Sequence, residues 1–134
     1  MGGRILIAED DYDLRAILSD FLNSCGYEAL AVTNGHDALQ QLAAPRRFDL
    51  LILDLSMPKV DGWAVLSQTR TRPETQSLPV IIVSAHSFVN DREKAFAAGC
   101  NGFIAKPFDP SVLLAEVQRV LNVPTGSSVT NPPL

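Results

Sequence analysis

The chain has 134 residues, of which 46% are hydrophobic and 19% are charged, with a formal net charge of −4; these values predict one folded globular domain and argue against intrinsic disorder. The acidic charge balance argues against direct binding of nucleic acid by this domain. No apolar run approaches the ~20 residues that span a bilayer, and none near the start suits the core of a signal peptide, so we expect a cytoplasmic protein without a membrane segment.

Five short apolar runs alternate along the sequence with segments of helical periodicity. The runs that predict strands are Ile5–Ala8, Tyr27–Val32, Asp49–Leu53, Leu78–Val83 and Phe103–Ala105. The segments that predict helices begin near Leu14, Asn34, Trp63, Val89 and Pro110, and they end near Cys25, Pro45, Pro73, Gly99 and Leu121. This alternation predicts an α/β fold: a doubly wound, five-stranded parallel sheet in the flavodoxin-like order 2-1-3-4-5, with helices on both faces.

Two features of the sequence predict burial. The apolar residues of the first helix recur at helical spacing and are expected to form one buried face: Leu14, Ile17, Leu18, Phe21 and Leu22. Cys25 and Cys100 lie far apart and lack zinc-like spacing. We therefore expect both cysteines to be small buried residues at helix ends, without a metal or redox role.

Polar side chains follow four of the predicted strands. Glu9 and Asp10 follow the first strand, and Asp54 follows the third. Ser84 follows the fourth strand and Lys106 the fifth. In an open doubly wound sheet, ligands bind beyond the carboxyl ends of the strands where the strand order reverses, here between the first and third strands. The sequence therefore predicts that these side chains share one shallow pocket.

Three carboxylates in one pocket repel each other, and the attraction of one lysine does not offset this repulsion. A bound cation would relieve it. All-oxygen ligands with room for water favour Mg²⁺, or Mn²⁺, over Zn²⁺. A cation held in this way would also bind phosphate, and Lys106 and Ser84 would each bind one phosphoryl oxygen beside it. Asp54 would be the nucleophile, because carboxylates form aspartyl-phosphate intermediates.

Four motifs at consistent spacing resemble those of a bacterial two-component response-regulator receiver domain of the chemotaxis-receiver type. They are Glu9-Asp10, Asp54-Leu-Ser-Met-Pro-Lys-Val-Asp-Gly, Ser84-Ala85 and Lys106-Pro107-Phe108. The resemblance extends from about Arg4 to Val123. We accordingly expect a receiver domain over residues 1–123, and a disordered tail or the start of a linker over residues 124–134.

The resemblance implies a role for each residue of the pocket. Asp54 would accept phosphate from the phosphohistidine of a sensor histidine kinase or phosphotransfer protein, and the domain would catalyse its own phosphorylation and dephosphorylation. Asp10 would bind Mg²⁺ directly and Glu9 mainly through water. Asp54 and the backbone carbonyl of Ser56 would complete the ligand set.

The resemblance also implies a switch. Ser84 would move toward the phosphoryl group, and Phe103 would change rotamer with it, driven by packing alone because a phenylalanine has no hydroxyl group. The alternative for Phe103 is that it only fills the core. Ser56 and His86 would tune the lifetime of the phosphate. The surface of the fourth helix, fifth strand and fifth helix would then act on a downstream protein or a tethered output domain, with the domain as a monomer or a weak phosphorylation-linked dimer.

Other functions stay open. A phosphatase of the haloacid-dehalogenase type also forms an aspartyl phosphate, but its Asp-x-Asp motif would require an acid where Ser56 stands. A flavodoxin-like cofactor binder would need a hydroxyl- and glycine-rich phosphate loop, whereas Glu9-Asp10-Asp11 would repel a phosphate there. A third possibility is a receiver-shaped interaction module that is never phosphorylated.

Overall fold

The computed structural model describes residues 3–45, 47–57, 61–85 and 89–122, without the side chains at 89 and 90. His86 and the segment 124–134 lie outside these ranges. Within them the strands are β1 (Arg4–Ala8), β2 (Glu28–Val32), β3 (Leu50–Asp54), β4 (Val80–Ser84) and β5 (Gly102–Ala105). The helices are α1 (Tyr12–Ser24), α2 (Gly35–Ala43), α3 (Gly62–Thr71), α4 (Val89–Ala97) and α5 (Pro110–Leu121).

The described strands form one parallel sheet in the order β2-β1-β3-β4-β5, as predicted. β1 pairs with both β2 and β3, so that Ala8 lies opposite Val32 on one side and Leu53 on the other. The strand order therefore reverses between β1 and β3. The residues that follow these two strands meet at one edge of the sheet.

Both faces of the sheet are covered by helices, which explains the continuous apolar runs of the central strands. Side chains alternate along β3: Leu51 and Leu53 pack in a core with α2, α3 and α4, whereas Leu50 and Ile52 pack in a second core with α1 and α5. This distribution of helices is the one that right-handed crossovers predict. Within the described residues, no helix is long and apolar enough to span a membrane.

Four helices begin at a polar cap. The side chains of Asp11, Asn34, Asp61 and Asp109 each accept a hydrogen bond from a backbone N–H in the first turn of α1, α2, α3 and α5. Such caps stabilise a helix by about 1 kcal/mol each. Because α1 and α3 begin just after the polar ends of β1 and β3, their caps also fix the course of the chain beside the pocket.

Two predicted burials are wrong. Ile17 is 52% exposed, because it precedes the buried Leu18 by one residue and each helical residue rotates the side chain by about 100°. Cys25 is exposed at the C-terminal cap of α1, just before Gly26, whose positive φ of 97° turns the chain at the end of the helix. The prediction for Cys100 is confirmed, since its side chain is buried.

Candidate functional site

The predicted pocket lies at the carboxyl edge of the sheet. Glu9 follows β1, and Asp54 and Ser84 end β3 and β4; each is at most 2% exposed. Asp10 lies beside Glu9 and is exposed. Lys106 follows β5, and its side chain is largely buried. The fold thus brings together residues that are widely separated in sequence.

Lys106 joins two of the carboxylates. Its Nζ lies 3.0 Å from Glu9 Oε1 and 3.2 Å from Asp54 Oδ2. Both carboxylates are buried, so each contact is a charge-assisted hydrogen bond in a medium of low dielectric constant. One ammonium therefore compensates two buried anions and leaves the pocket with an excess of negative charge.

The carboxylates of Glu9, Asp10 and Asp54 form a cluster that can hold a metal ion. One oxygen from each lies within 4.8 Å of the others. Within the described part of the chain, the Asp10 carboxylate accepts no hydrogen bond. An all-oxygen donor set, with one exposed carboxylate open to solvent, fits Mg²⁺ or Mn²⁺ and does not fit a cation that prefers nitrogen or sulfur.

Burial controls the protonation of Glu9. Desolvation raises the pKa of Glu9 from 4.5 to about 7; the Asp11 N–H opposes this rise, the charge of Asp54 adds to it, and Lys106 opposes it. Burial alone would lower the pKa of Lys106, but its contacts with Glu9 and Asp54 raise that pKa. Lys106 therefore carries its positive charge at neutral pH, whereas Glu9 is close to its midpoint.

The backbone orients the Asp54 carboxylate. Its Oδ1 accepts a hydrogen bond of 3.0 Å from the N–H of Ser56. Gly62, the first residue of α3, packs against this segment so closely that a Cβ there would lie 2.5 Å from Leu55 Cα and 2.6 Å from the Asp54 carbonyl oxygen. Only glycine allows α3 to begin this close to the acidic residue.

Ser84 and Phe103 lie in adjacent strands. Ser84 pairs with Ala105, and its carbonyl oxygen accepts a 2.8 Å hydrogen bond from the N–H of Lys106. Phe103 is 8% exposed and packs in the core between the sheet and α2, α3 and α4. The structure thus places Ser84 at the carboxyl edge of the sheet, and Phe103, the predicted aromatic switch residue, in the core below that edge. His86 lies outside the described residues.

Sequence reasoning missed Arg15. Its Nη1 donates to the carbonyl oxygens of Glu9 and Asp10, at 3.0 and 3.3 Å. The available signal was an arginine one helical turn after an acidic loop, at a spacing that lets the side chain reach back over the start of the helix.

The strand order and the position of the site define a flavodoxin-like domain with a polar pocket at the carboxyl edge of its sheet. Residues 5–118 match the sequence model of the response regulator receiver domain, and the chain belongs to this family of two-component signalling domains.

Several characterised proteins are similar to this chain. The transcriptional regulatory protein HprR of Escherichia coli (strain K12) is 37% identical over 118 residues, which are 88% of this chain and 51% of HprR. The chain spans about half the length of the curated relatives it matches.

Two of the solved structures that are similar to this chain match it over 98% or more of their own length. A putative response regulator from Chloroflexus aurantiacus is 32% identical, with a TM-score of 0.84 over 90% of this chain and 98% of that one. The receiver domain of the sensor histidine kinase PA1611 from Pseudomonas aeruginosa is 28% identical, with a TM-score of 0.83 over 92% of this chain and 100% of that one. That structure has a magnesium ion coordinated in its active site cleft.

Proposed function

We propose that this domain is a phosphoacceptor switch in which Asp54 takes a phosphoryl group from the phosphohistidine of a sensor histidine kinase or phosphotransfer protein. The observation that carries the proposal is the contact of Lys106 Nζ with Asp54 Oδ2 at 3.2 Å, inside a cluster of three carboxylates. A buried carboxylate beside one ammonium and two further acids suits an acceptor that works with a divalent cation.

The donor set supports Mg²⁺, with Mn²⁺ as a substitute. Asp10, Asp54 and the backbone carbonyl of Ser56 would hold the cation directly, and Glu9 mainly through water. When bound, the cation would neutralise the phosphoryl oxygens during transfer. The magnesium ion in the related receiver domain of PA1611 supports this choice.

In the transfer step, a carboxylate oxygen of Asp54 attacks phosphorus as the phosphorus–nitrogen bond of phosphohistidine breaks. The imidazole leaves with the electron pair of that bond and takes a proton from solvent. Lys106 would bind one phosphoryl oxygen, and the hydroxyl of Ser84 would donate to another. The short distance between Lys106 and Asp54 supports this role, because the ammonium already lies beside the acceptor.

Phosphorylation would act on the surface formed by α4, β5 and α5. Movement of Ser84 toward the phosphoryl group would change the packing of Phe103, which lies in the adjacent strand. Ser56 and His86, each two residues after a pocket residue, would tune the lifetime of the phosphate.

The changed surface would bind a downstream protein or a tethered output domain, with the domain as a monomer or a weak phosphorylation-linked dimer. We assign the receiver domain to residues 1–123 and a tail or linker to residues 124–134. The greater length of the curated relatives supports a linker that leads to an output domain.

Incubation with Mg²⁺ and acetyl phosphate, followed by intact-mass measurement, tests the proposal. We expect one added phosphoryl group that withstands brief acid, is released by hydroxylamine and is absent from Asp54→Asn. The matched control is Asp20→Asn, because Asp20 is exposed on α1 away from the pocket.

An adduct that survives Asp54→Asn contradicts the proposed acceptor. A wild-type chain that forms no adduct favours a receiver-shaped module without phosphorylation. Release of phosphate with continued turnover favours the phosphatase.

A further inference from the structure

Arg15, in the first turn of α1, binds the backbone of the acidic loop. Its Nη1 donates to two consecutive carbonyl oxygens, those of Glu9 at 3.0 Å and Asp10 at 3.3 Å. Its guanidinium carbon lies 5.5 Å from the centroid of the Tyr12 ring, a cation–π distance that holds the side chain on this side of the loop. One side chain therefore fixes the two peptide groups that flank Asp10.

The two acids of the loop depend on this contact to different degrees. The carboxylate of Glu9 is held by Lys106 and by the N–H of Asp11, which donates to Glu9 Oε2 over 3.0 Å. The Asp10 carboxylate has no such donor within the described residues. Because a peptide group is planar, the orientation of its carbonyl constrains the direction of the neighbouring side chain. The direction of Asp10 thus depends on the backbone that Arg15 holds.

We propose that Arg15 is a positioning residue for the cation site: it holds the backbone of Glu9 and Asp10 so that the Asp10 carboxylate faces Glu9 and Asp54. This inference rests on the proposed function, since it concerns the cation that phosphoryl transfer requires. Among the described residues Arg15 has no hydrogen bond or ion pair with Asp54, and it would act through Asp10.

Loss of a positioning contact and loss of a nearby positive charge would change the Mg²⁺ affinity in opposite directions. A positive guanidinium repels a divalent cation, so removal of a mere neighbouring charge would tighten Mg²⁺ binding. Removal of a group that orients a metal ligand weakens binding, by about 10-fold or more for the outer partners of metal sites. The sign of the change therefore separates the two roles.

The experiment measures the Mg²⁺ affinity of the metal-free protein by titration calorimetry and by the rise of its unfolding midpoint with Mg²⁺. We expect Arg15→Gln to bind Mg²⁺ about 10-fold more weakly than the wild type. Arg15→Lys keeps the charge, but its side chain is one atom shorter and reaches the two carbonyl oxygens less well, so it should give an intermediate affinity. The control is Arg72→Gln, because Arg72 follows the last residue of α3, whereas the first residue of that helix lies beside the pocket; it should match the wild type.

Equal or tighter Mg²⁺ binding by Arg15→Gln overturns the role of Arg15 and leaves the phosphoacceptor proposal intact. A wild-type protein that binds no Mg²⁺ overturns both. If Arg15→Gln does not fold, Arg15→Lys decides the matter, because a wild-type affinity in that variant overturns the inference.

Discussion

The ammonium of Lys94 on α4 lies 5.6 Å from the centroid of the Trp63 ring on α3. Trp63 is the only tryptophan of the chain and follows Gly62, which packs against the backbone of Asp54 and Leu55. The indole therefore contacts α4, the helix that the proposed switch would move, from the first turn of α3, which begins beside the proposed acceptor. Its fluorescence is an internal probe of the contact between the two helices.

We predict that Mg²⁺ and acetyl phosphate change the emission of Trp63, because movement of α4 would alter the position of the Lys94 ammonium over the ring. Lys94→Gln should reduce this change and destabilise the protein by about 0.5 to 1 kcal/mol through loss of the cation–π contact. Steady-state fluorescence and urea unfolding measure the two effects. Asp54→Asn serves as the unphosphorylated control, and an emission change of full size in Lys94→Gln would contradict the prediction.

Glu9 should make the stability of the metal-free protein depend on pH. Burial raises the pKa of Glu9 from 4.5, its value in an unfolded chain, to about 7 in the folded state. Between these two pKa values the folded protein therefore binds more protons than the unfolded chain. The free energy of unfolding should therefore fall as the pH rises from 4.5 to about 7, with a slope from this one group of at most about 1.4 kcal/mol per pH unit.

Urea unfolding in EDTA at several pH values, with the wild type beside Glu9→Gln, isolates this contribution. Glu9→Gln should show a flatter profile, because its side chain does not titrate. Saturating Mg²⁺ should also flatten the wild-type profile, because a cation favours the ionised carboxylate. Identical pH profiles for the two proteins in EDTA would show that Glu9 does not cause the pH dependence of the stability.

Gly62→Ala should destabilise the protein by about 1 to 3 kcal/mol, because the new methyl group meets backbone atoms that cannot move aside. It should also slow phosphorylation, since the clash displaces the segment that carries Asp54. Gly26→Ala is the matched comparison: a Cβ there has no neighbour within 4 Å, and only the positive φ of 97° opposes it. We expect Gly26→Ala to lower stability and leave the phosphorylation rate unchanged.

His86→Ala should change the rate of dephosphorylation and still allow phosphorylation of Asp54, because we propose that His86 tunes the lifetime of the phosphate and does not take part in its transfer. Phosphorylated wild type and variant, freed of acetyl phosphate, are followed by intact mass as the adduct decays. An unchanged decay rate excludes His86 from the hydrolytic mechanism.

The sequence was sufficient to predict the sheet order, because alternating strands and helices are typical of a doubly wound parallel sheet, and to predict the residues of the pocket, because these follow the strand ends. A parallel sheet brings the carboxyl ends of its strands to one edge, so Glu9, Asp54 and Lys106 needed only correct strand assignments to be placed together. The pattern of apolar residues was less informative about Ile17, because a broad apolar stripe does not show which of its margins faces the core.

Contacts with the backbone were harder to predict: the spacing of Arg15 shows that its side chain can reach the acidic loop, but it does not show which group the side chain binds there. Arg15 binds carbonyl oxygens, and every residue has one, so no residue type marks its partner. The close approach of Gly62 to Leu55 likewise depends on the path of the loop between β3 and α3. Such contacts are set by three-dimensional geometry that residue spacing alone does not specify.

The ammonium that lies beside Asp54 comes from a residue 52 positions later in the chain and 97 positions after Glu9. During synthesis, Asp54 therefore leaves the ribosome well before its partner does. A nascent or truncated chain that ends before β5 has the acceptor carboxylate but lacks the cationic group that would bind the phosphoryl oxygens. If Asp54 is the acceptor as proposed, its phosphorylation would therefore require that β5 has joined the sheet, and chains that end before β5 would not be phosphorylated efficiently.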